Sequence, residues 1–168
     1  MDIMNIIEKY IELTRKRVAI MKNRGQYVGN APFLRQLPHL EEVNVDEQDE
    51  LSAILAEMDE IYKEYEAAIE TISADALRDI YIQIATKFED LKGQSDTLTK
   101  HKEWANREET TAFNTQNSVA EERYENICTS CTKALSEIRQ ILPYYRYFET
   151  DLRIRISRIS ESKKSKIV

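Results

Sequence analysis

The chain has 168 residues and a formal net charge of −6, and 32% of its residues are charged. Only three glycines and three prolines are present, which is too few for the tight turns of a sheet protein or for a disordered Pro/Gly-rich chain. The composition therefore predicts a single all-α module, and the acidic balance argues against a general nucleic-acid binder.

Segment 1–23 is predicted to form an N-terminal amphipathic helix. Its apolar residues make a stripe wider than a coiled-coil seam, which indicates burial against more than one neighbour. The stripe consists of Ile3, Ile6, Ile7, Tyr10, Ile11, Leu13, Val18 and Met21. Gly25 stands where a C-terminal cap belongs.

Segment 24–45 is predicted to be an ordered apolar loop. Its glycines and prolines exclude a regular helix, yet much of the segment is apolar. Long loops of this kind are uncommon as inert linkers. Either the loop folds back over the helices, or Phe33, Leu34 and Leu37 dock on a partner as apolar anchors.

Segment 46–160 is predicted to be a long antiparallel coiled-coil hairpin whose first helix begins at Asp46. Apolar residues at steps of four and three run from Leu51 to Leu91. One change of phase near Ser73 favours a continuous helix with a stutter. Gly93 is the predicted turn, because the Gln-Ser-Asp sequence that follows it supplies turn residues and a new N-cap.

The return helix begins with a weak seam. Its apolar residues recur only at steps of seven, and two aromatic residues lie beside them. The seam is Leu98, Ala105, Ala112 and Val119, flanked by Trp104 and Phe113. A seam this thin predicts a segment that either frays or requires a partner helix.

The strongest pattern follows, and the other helices are expected to be arranged around it. From Ala120 to Ile159, apolar residues recur at steps of four and three. Pro143 lies inside this pattern without changing its phase, so a kinked helix is preferred to a helix end. Segment 161–168 is predicted to be a basic flexible tail.

The section of this helix from Ile138 onward is predicted to bind partners. With the turn at Gly93, the arm from Leu51 to Leu91 extends only to about Leu135, so the later seam residues would be uncovered. The predicted interface consists of Ile138, Ile141, Tyr144, Tyr145, Tyr147, Phe148, Leu152, Ile156 and Ile159. The alternative is that the first helix and the loop cover these residues.

No constellation of residues indicates catalysis, a cofactor or a metal. Cys128 and Cys131 form a C-x-x-C, but a zinc site needs four ligands and His39 and His101 are the only histidines. The motif also lacks the strand-to-helix context of a redox site. We therefore expect two buried, structural cysteines on a helix and a protein that is not an enzyme.

The sequence favours a non-enzymatic coiled-coil subunit of a multi-subunit assembly, of the cytoskeletal, spindle, kinetochore or trafficking type. Its expected partners are other helical subunits in a hetero-oligomer. Two alternatives stay open: a self-contained four-helix-bundle adaptor, and a peripheral membrane factor that uses the basic C-terminal segment. The N-terminal sequence and the lack of a long apolar run favour a soluble, cytoplasmic protein.

Overall fold

The computed structural model describes residues 2–23 and 45–167, with side chains described for 2–21 and 50–163. Four helices make up this part of the chain: α1 (Ile3–Asn23), α2 (Val45–Thr71), α3 (Ala74–Asn114) and α4 (Ser118–Ile167). No strand occurs in the described ranges, so the predicted all-α class is confirmed. The N-terminal helix begins two residues after its predicted start and ends at the predicted residue, Asn23, whereas most of the predicted apolar loop, residues 24–44, lies outside the described ranges.

Each helix runs antiparallel to the one before it, as the order of contacts along the helices shows. Tyr10 of α1 meets Phe148 of α4, whereas Val18, later in α1, lines a groove with Cys128, earlier in α4, so α1 is antiparallel to α4. In the contacts between α2 and α4, the residue numbers rise together along both helices, so these two helices are parallel. In the contacts between α3 and α4, one residue number rises as the other falls, so these two are antiparallel. These contacts are Tyr62–Tyr147 and Tyr65–Asp151 for α2, and Tyr81–Glu149 and Asn106–Cys128 for α3. The last two helices therefore form an antiparallel hairpin, as predicted.

The break between α2 and α3 lies at Ser73, so the predicted continuous helix 46–92 is wrong. Ser73 has extended backbone angles, with φ −67° and ψ 156°. Its Oγ accepts the backbone N–H of Ala76 at 3.1 Å, which satisfies one of the free donors at the start of α3. The change of phase in the apolar pattern therefore marks a capped helix start rather than a stutter.

The predicted turn at Gly93 is also wrong, because α3 continues through this residue to Asn114. A glycine inside a helix destabilises it by about 1 kcal/mol relative to alanine. Burial of the apolar seam residues on either side of Gly93 stabilises the helix by more than this amount. That seam recurs at steps of seven on both sides of Gly93. Its members are Ile84, Leu91, Leu98, Ala105 and Ala112.

The hairpin turn lies instead at residues 115–117. The backbone N–H of Thr115 donates to the Thr111 carbonyl at 3.0 Å and ends α3. Gln116 has a φ of 57°, in the left-handed region that usually follows a helix and favours glycine. Asn117 Oδ1 accepts the backbone N–H of Ala120 at 3.2 Å and so caps α4.

The last helix, α4, is continuous over 50 residues and contains Pro143 in its interior. The preference for a helix that passes through this proline, rather than ending there, is therefore confirmed. The helix extends to Ile167, so the backbone of the predicted flexible tail, 161–168, is helical over most of its length.

Two regions follow from these helix lengths. In the region that we call the body, α1 and α2 pack with the C-terminal part of α4 and the N-terminal part of α3 around one hydrophobic core. Beyond Leu98 and Ala134, α3 and α4 continue to the turn as a hairpin, which we call the arm. The end of α1 flanks the start of the arm on one side of α4, where Val18 and Ala19 line a groove with Cys128 and Lys133. At 1.5 Å per residue, the arm extends roughly 25 Å from the body.

Candidate functional site

Most of the residues predicted to bind partners through α4 lie in the core of the body. Six of them are less than 9% exposed: Ile138, Ile141, Tyr144, Tyr145, Phe148 and Leu152. The premise that they are uncovered is therefore wrong. The reason is the position of the turn, because α3 is long enough to cover α4 throughout the body, and α1 and α2 pack onto the same section.

The remaining predicted residues divide into two groups. Tyr147, Ile156 and Ile159 are partly buried and pack against the core. The loop anchors Phe33, Leu34 and Leu37 lie outside the described residues.

The aromatic residues that looked like a binding patch join three helices of the body. Phe148 of α4 makes edge-to-face contacts with Tyr10 of α1 at 5.9 Å and with Tyr65 of α2 at 5.0 Å between ring centroids. Tyr10 and Tyr62 lie 6.4 Å apart in the same orientation. Such pairs stabilise a core beyond the burial of their area alone, so this cluster holds the body together.

The hydroxyl groups of the cluster are satisfied at its edge. The Tyr62 and Tyr147 hydroxyls are 2.6 Å apart, and the Tyr65 hydroxyl donates to Asp151 Oδ2 at 2.7 Å. Arg155 Nε donates to the same Asp151 oxygen at 2.9 Å. Burial, followed by the Asp151 charge and hydrogen bond, raises the pKa of Tyr65 well above its usual range. These groups form a structural network that keeps the tyrosines protonated.

Among the described residues, three of the five large apolar residues that are exposed lie on the arm, and the other two, Ile82 and Ile154, lie on the body. Phe113 and Val119, on either side of the turn, are 67% and 79% exposed, and Trp104 is 40% exposed. The inward-facing residues are small, since Ala105 and Ala112 are the buried positions of α3 here. Two helices that meet through alanines enclose little apolar volume, so the large side chains remain at the surface.

Trp104 is held on the arm by two aromatic neighbours. Its ring stacks on His101 with centroids 5.6 Å apart and meets the edge of Tyr124 at 5.5 Å. The half-exposed indole therefore belongs to an ordered aromatic group of α3 and α4.

The C-x-x-C cysteines lie on the same arm as free thiols. Cys131 is buried, as predicted, whereas Cys128 is only partly buried and its Sγ donates to Asn106 Oδ1 at 2.9 Å. Burial, together with the Glu109 carboxylate, raises the pKa of Cys128 and disfavours its thiolate. Among the described residues, no cluster of three or more histidine, cysteine or acidic side chains is arranged to hold a metal ion.

A groove of about 870 Å³ runs along one side of the arm. Its apolar lining extends from Val119 near the tip to Ala134 and Leu98 at the base, with Ile127 and Cys131 between them. A groove with an apolar floor and polar rims is a common form for a helix-binding surface. The thin seam from Leu98 to Val119 was its only signal in the sequence, because it lacks the large residues that would fill the space between two helices.

Comparison with known proteins identifies no family for the chain. No protein-family model, curated protein or solved structure matches the chain. None of the described helices is long and apolar enough to span a membrane.

Proposed function

We propose that the protein is a non-enzymatic helical subunit that joins other helical chains in a multi-subunit assembly, and that the arm is its binding surface. The observation that carries this proposal is the exposure of Phe113 and Val119, at 67% and 79%, on a hairpin with a thin seam. Large apolar residues clustered at an exposed site usually mark an interface. Cytoskeletal, spindle, kinetochore and trafficking assemblies are the class in which such subunits are common.

The location of the apolar residues supports the arm over the body. In the body, the seam of α4 is enclosed by three other helices, and its most buried aromatic residue, Phe148, is 1% exposed. A partner could contact that seam only after the body opened, which would expose the whole core. On the arm, a helix can be added without any such cost.

A self-contained four-helix adaptor is the second candidate, and the closed core of the body supports it. The body encloses its aromatic cluster with residues of this chain alone. The adaptor differs from the assembly subunit in that its partner would bind the body rather than the arm. The membrane alternative is supported by one exposed isoleucine, Ile154 at 43%, since Ile156 and Ile159 pack against the core.

The test is a pull-down with the full chain and two matched double variants. The arm variant is Phe113→Ser with Val119→Ser. The body control is Ile82→Ser with Ile154→Ser, which replaces two apolar side chains that are 60% and 43% exposed. Circular dichroism verifies that both variants remain helical. We expect the arm variant to lose the captured proteins and the control to keep them. Equal capture by both variants would contradict binding through the arm.

A further inference from the structure

The groove on the arm continues into the body. A second groove, of about 560 Å³, shares Leu98 and Ala134 with the first one and runs between α1, α3 and α4. We call it the body groove. Its floor is formed by buried apolar residues and its rim by polar ones: Leu91, Ile138 and Ile141 on the floor, and Arg15, Gln94, Glu137 and Gln140 at the rim. The two grooves therefore form one continuous apolar path along α4, from the tip of the arm into the body.

A thiol and an imidazole lie where the two grooves meet. Cys131 is one turn of α4 before Ala134 and lines the groove on the arm, although only 5% of the residue is exposed. His101 lines the same groove, and its Nδ1 is 3.8 Å from Cys131 Sγ. Stacking on Trp104, with ring centroids 5.6 Å apart, restrains the orientation of the imidazole. A thiol beside an oriented base is the arrangement that activates a cysteine as a nucleophile.

Cys128, one turn earlier, provides the comparison within the same helix. It is more exposed than Cys131, but it lines the separate groove between α1 and α4. Its Sγ donates to Asn106 Oδ1, and burial followed by the Glu109 carboxylate raises its pKa. A neighbouring carboxylate disfavours the thiolate, whereas a neutral imidazole can accept the thiol proton. Of the two cysteines in the C-x-x-C, it is therefore Cys131 that combines a base with a long apolar groove.

We propose that Cys131 is a site of S-acylation, and that its acyl donor is a long-chain acyl thioester. Cys131 Sγ attacks the carbonyl carbon of the thioester, and His101 Nδ1 accepts the thiol proton. The new S–C bond forms as the bond from the carbonyl carbon to the donor sulfur breaks, and the departing thiolate takes the proton from His101. One thioester replaces another, so the reaction consumes no oxidant or reductant.

The body groove determines which acyl group the thiol accepts. Ten residues of α4 separate Cys131 from Ile141, or about 15 Å along the helix, which is close to the extended length of a myristoyl or palmitoyl chain. A saturated chain has no hydrogen-bonding groups to satisfy, so it suits an apolar floor. Each methylene group that the groove covers favours binding, whereas an acetyl group would leave the groove empty.

This inference does not depend on the proposed role of the arm as a binding surface. That role is carried by Phe113 and Val119 near the tip, whereas the acyl chain extends from Cys131 in the opposite direction, toward the body. The failure of either proposal would leave the other in place.

The test is acyl transfer to the full chain from palmitoyl-CoA, below its critical micelle concentration, and from acetyl-CoA at the same concentration. Intact-mass spectrometry measures the added mass, and neutral hydroxylamine identifies a thioester by releasing the acyl group. Peptide mapping identifies the modified cysteine. The variants are Cys131→Ser, Cys128→Ser, His101→Gln and Ala134→Leu, and circular dichroism verifies that each remains helical.

We expect palmitoyl-CoA to add one acyl group to the wild-type chain, at Cys131 and not at the more exposed Cys128. Cys128→Ser should react at the wild-type rate and Cys131→Ser should not react. His101→Gln should react at least tenfold more slowly, because the base is lost. Palmitoyl transfer should be at least tenfold faster than acetyl transfer, and Ala134→Leu should remove this preference by narrowing the passage into the body groove.

Acylation mainly at Cys128 would overturn the inference, because exposure alone would then decide which thiol reacts. Equal rates with the two donors would remove the role of the body groove, and an unchanged rate for His101→Gln would remove the base, so either result would overturn it too. A wild-type chain that takes no acyl group would have the same consequence. Partner capture through Phe113 and Val119 is measured separately, so these outcomes are distinguishable from a failure of the proposed function.

Discussion

The body and the arm are built from the same two helices, yet they differ in what covers them. In the body, the seam of α4 carries isoleucine, leucine and aromatic residues, and α1 and α2 enclose it. In the arm, the buried positions of α3 are alanines, and Phe113 lies in solvent. The heptad pattern identifies the side of a helix that faces another helix, whereas the size of the residues on that side indicates how many helices the site encloses.

The largest expected effect comes from one phenylalanine in each region. Phe148→Ala should lower the free energy of unfolding by about 3–5 kcal/mol, because it leaves a cavity among Tyr10 and Tyr65. Phe113→Ala should change it by no more than about 0.5 kcal/mol, because that ring is mostly exposed. Urea unfolding followed by circular dichroism measures both. Similar losses for the two variants would show that the arm is as well packed as the body.

The buried tyrosines of the body predict a loss of stability in alkaline solution. Burial raises the pKa of Tyr10, Tyr62 and Tyr65 above the ordinary value of 10.0, with added contributions from the Tyr147 hydrogen bond to Tyr62 and from Asp151 near Tyr65. The unfolded chain loses these protons above pH 10, whereas the folded chain keeps them. The contribution of these tyrosines to the free energy of unfolding should therefore be fully present below pH 10. Above pH 10 the free energy of unfolding should fall by about 1.4 kcal/mol per pH unit for each such tyrosine.

Urea titrations between pH 8 and 11.5 measure this dependence. The variant Tyr62→Phe with Tyr65→Phe should show a shallower decline, since two of the titrating groups are gone. The arm has no comparable buried tyrosine among its described residues, and helicity lost there first would contradict the assignment of the decline to the body.

A smaller effect is expected at the start of α3. Ser73→Ala removes the oxygen that accepts the Ala76 N–H and should lower the free energy of unfolding by about 1 kcal/mol. Ser95→Ala is the matched control, because Ser95 lies inside α3 and should tolerate alanine. If Ser95 proved to be the sensitive position, the helix would begin after Gly93 and the arm would be shorter.

The smallest predicted effect is a gain in stability at Gly93. An added Cβ there meets no atom within 4 Å, and the residue lies inside a helix. Gly93→Ala should raise the free energy of unfolding by about 0.5–1 kcal/mol, because alanine loses less conformational entropy in a helix. The thermal unfolding midpoint records the change. A lower midpoint would indicate a turn at this residue.

The helices and their inward faces could be predicted from the sequence, but the turn could not. Residues 93–96 have the composition of a turn, with glycine, serine and aspartate, whereas the true turn, Thr115-Gln116-Asn117, contains no glycine. Local propensity therefore favoured the wrong position, and the packing of Leu91, Leu98 and Ala105 on α4 overrode it.

That single difference also explains why the interface was assigned to the wrong part of α4. A turn at Gly93 leaves the section after Ile138 uncovered, whereas a turn at residues 115–117 brings α3 along this section to about residue 156, since Tyr81 of α3 lies opposite Glu149. A periodic apolar pattern predicts that another helix packs against it, but it does not identify that helix. The exposed groove of the arm depends on this long-range choice, so it could be located only once the hairpin was known.

The continuity of α4 makes the molecule a lever. The helix passes without interruption from the aromatic core to the turn, and about 45 Å separates Phe148 from Ser118 along its axis. At that radius, a rotation of about 5° within the body displaces the tip by about 4 Å. Pro143 lies close to Phe148 and removes one backbone hydrogen bond, so it softens the helix there. A small bend at this position produces a large displacement of the tip.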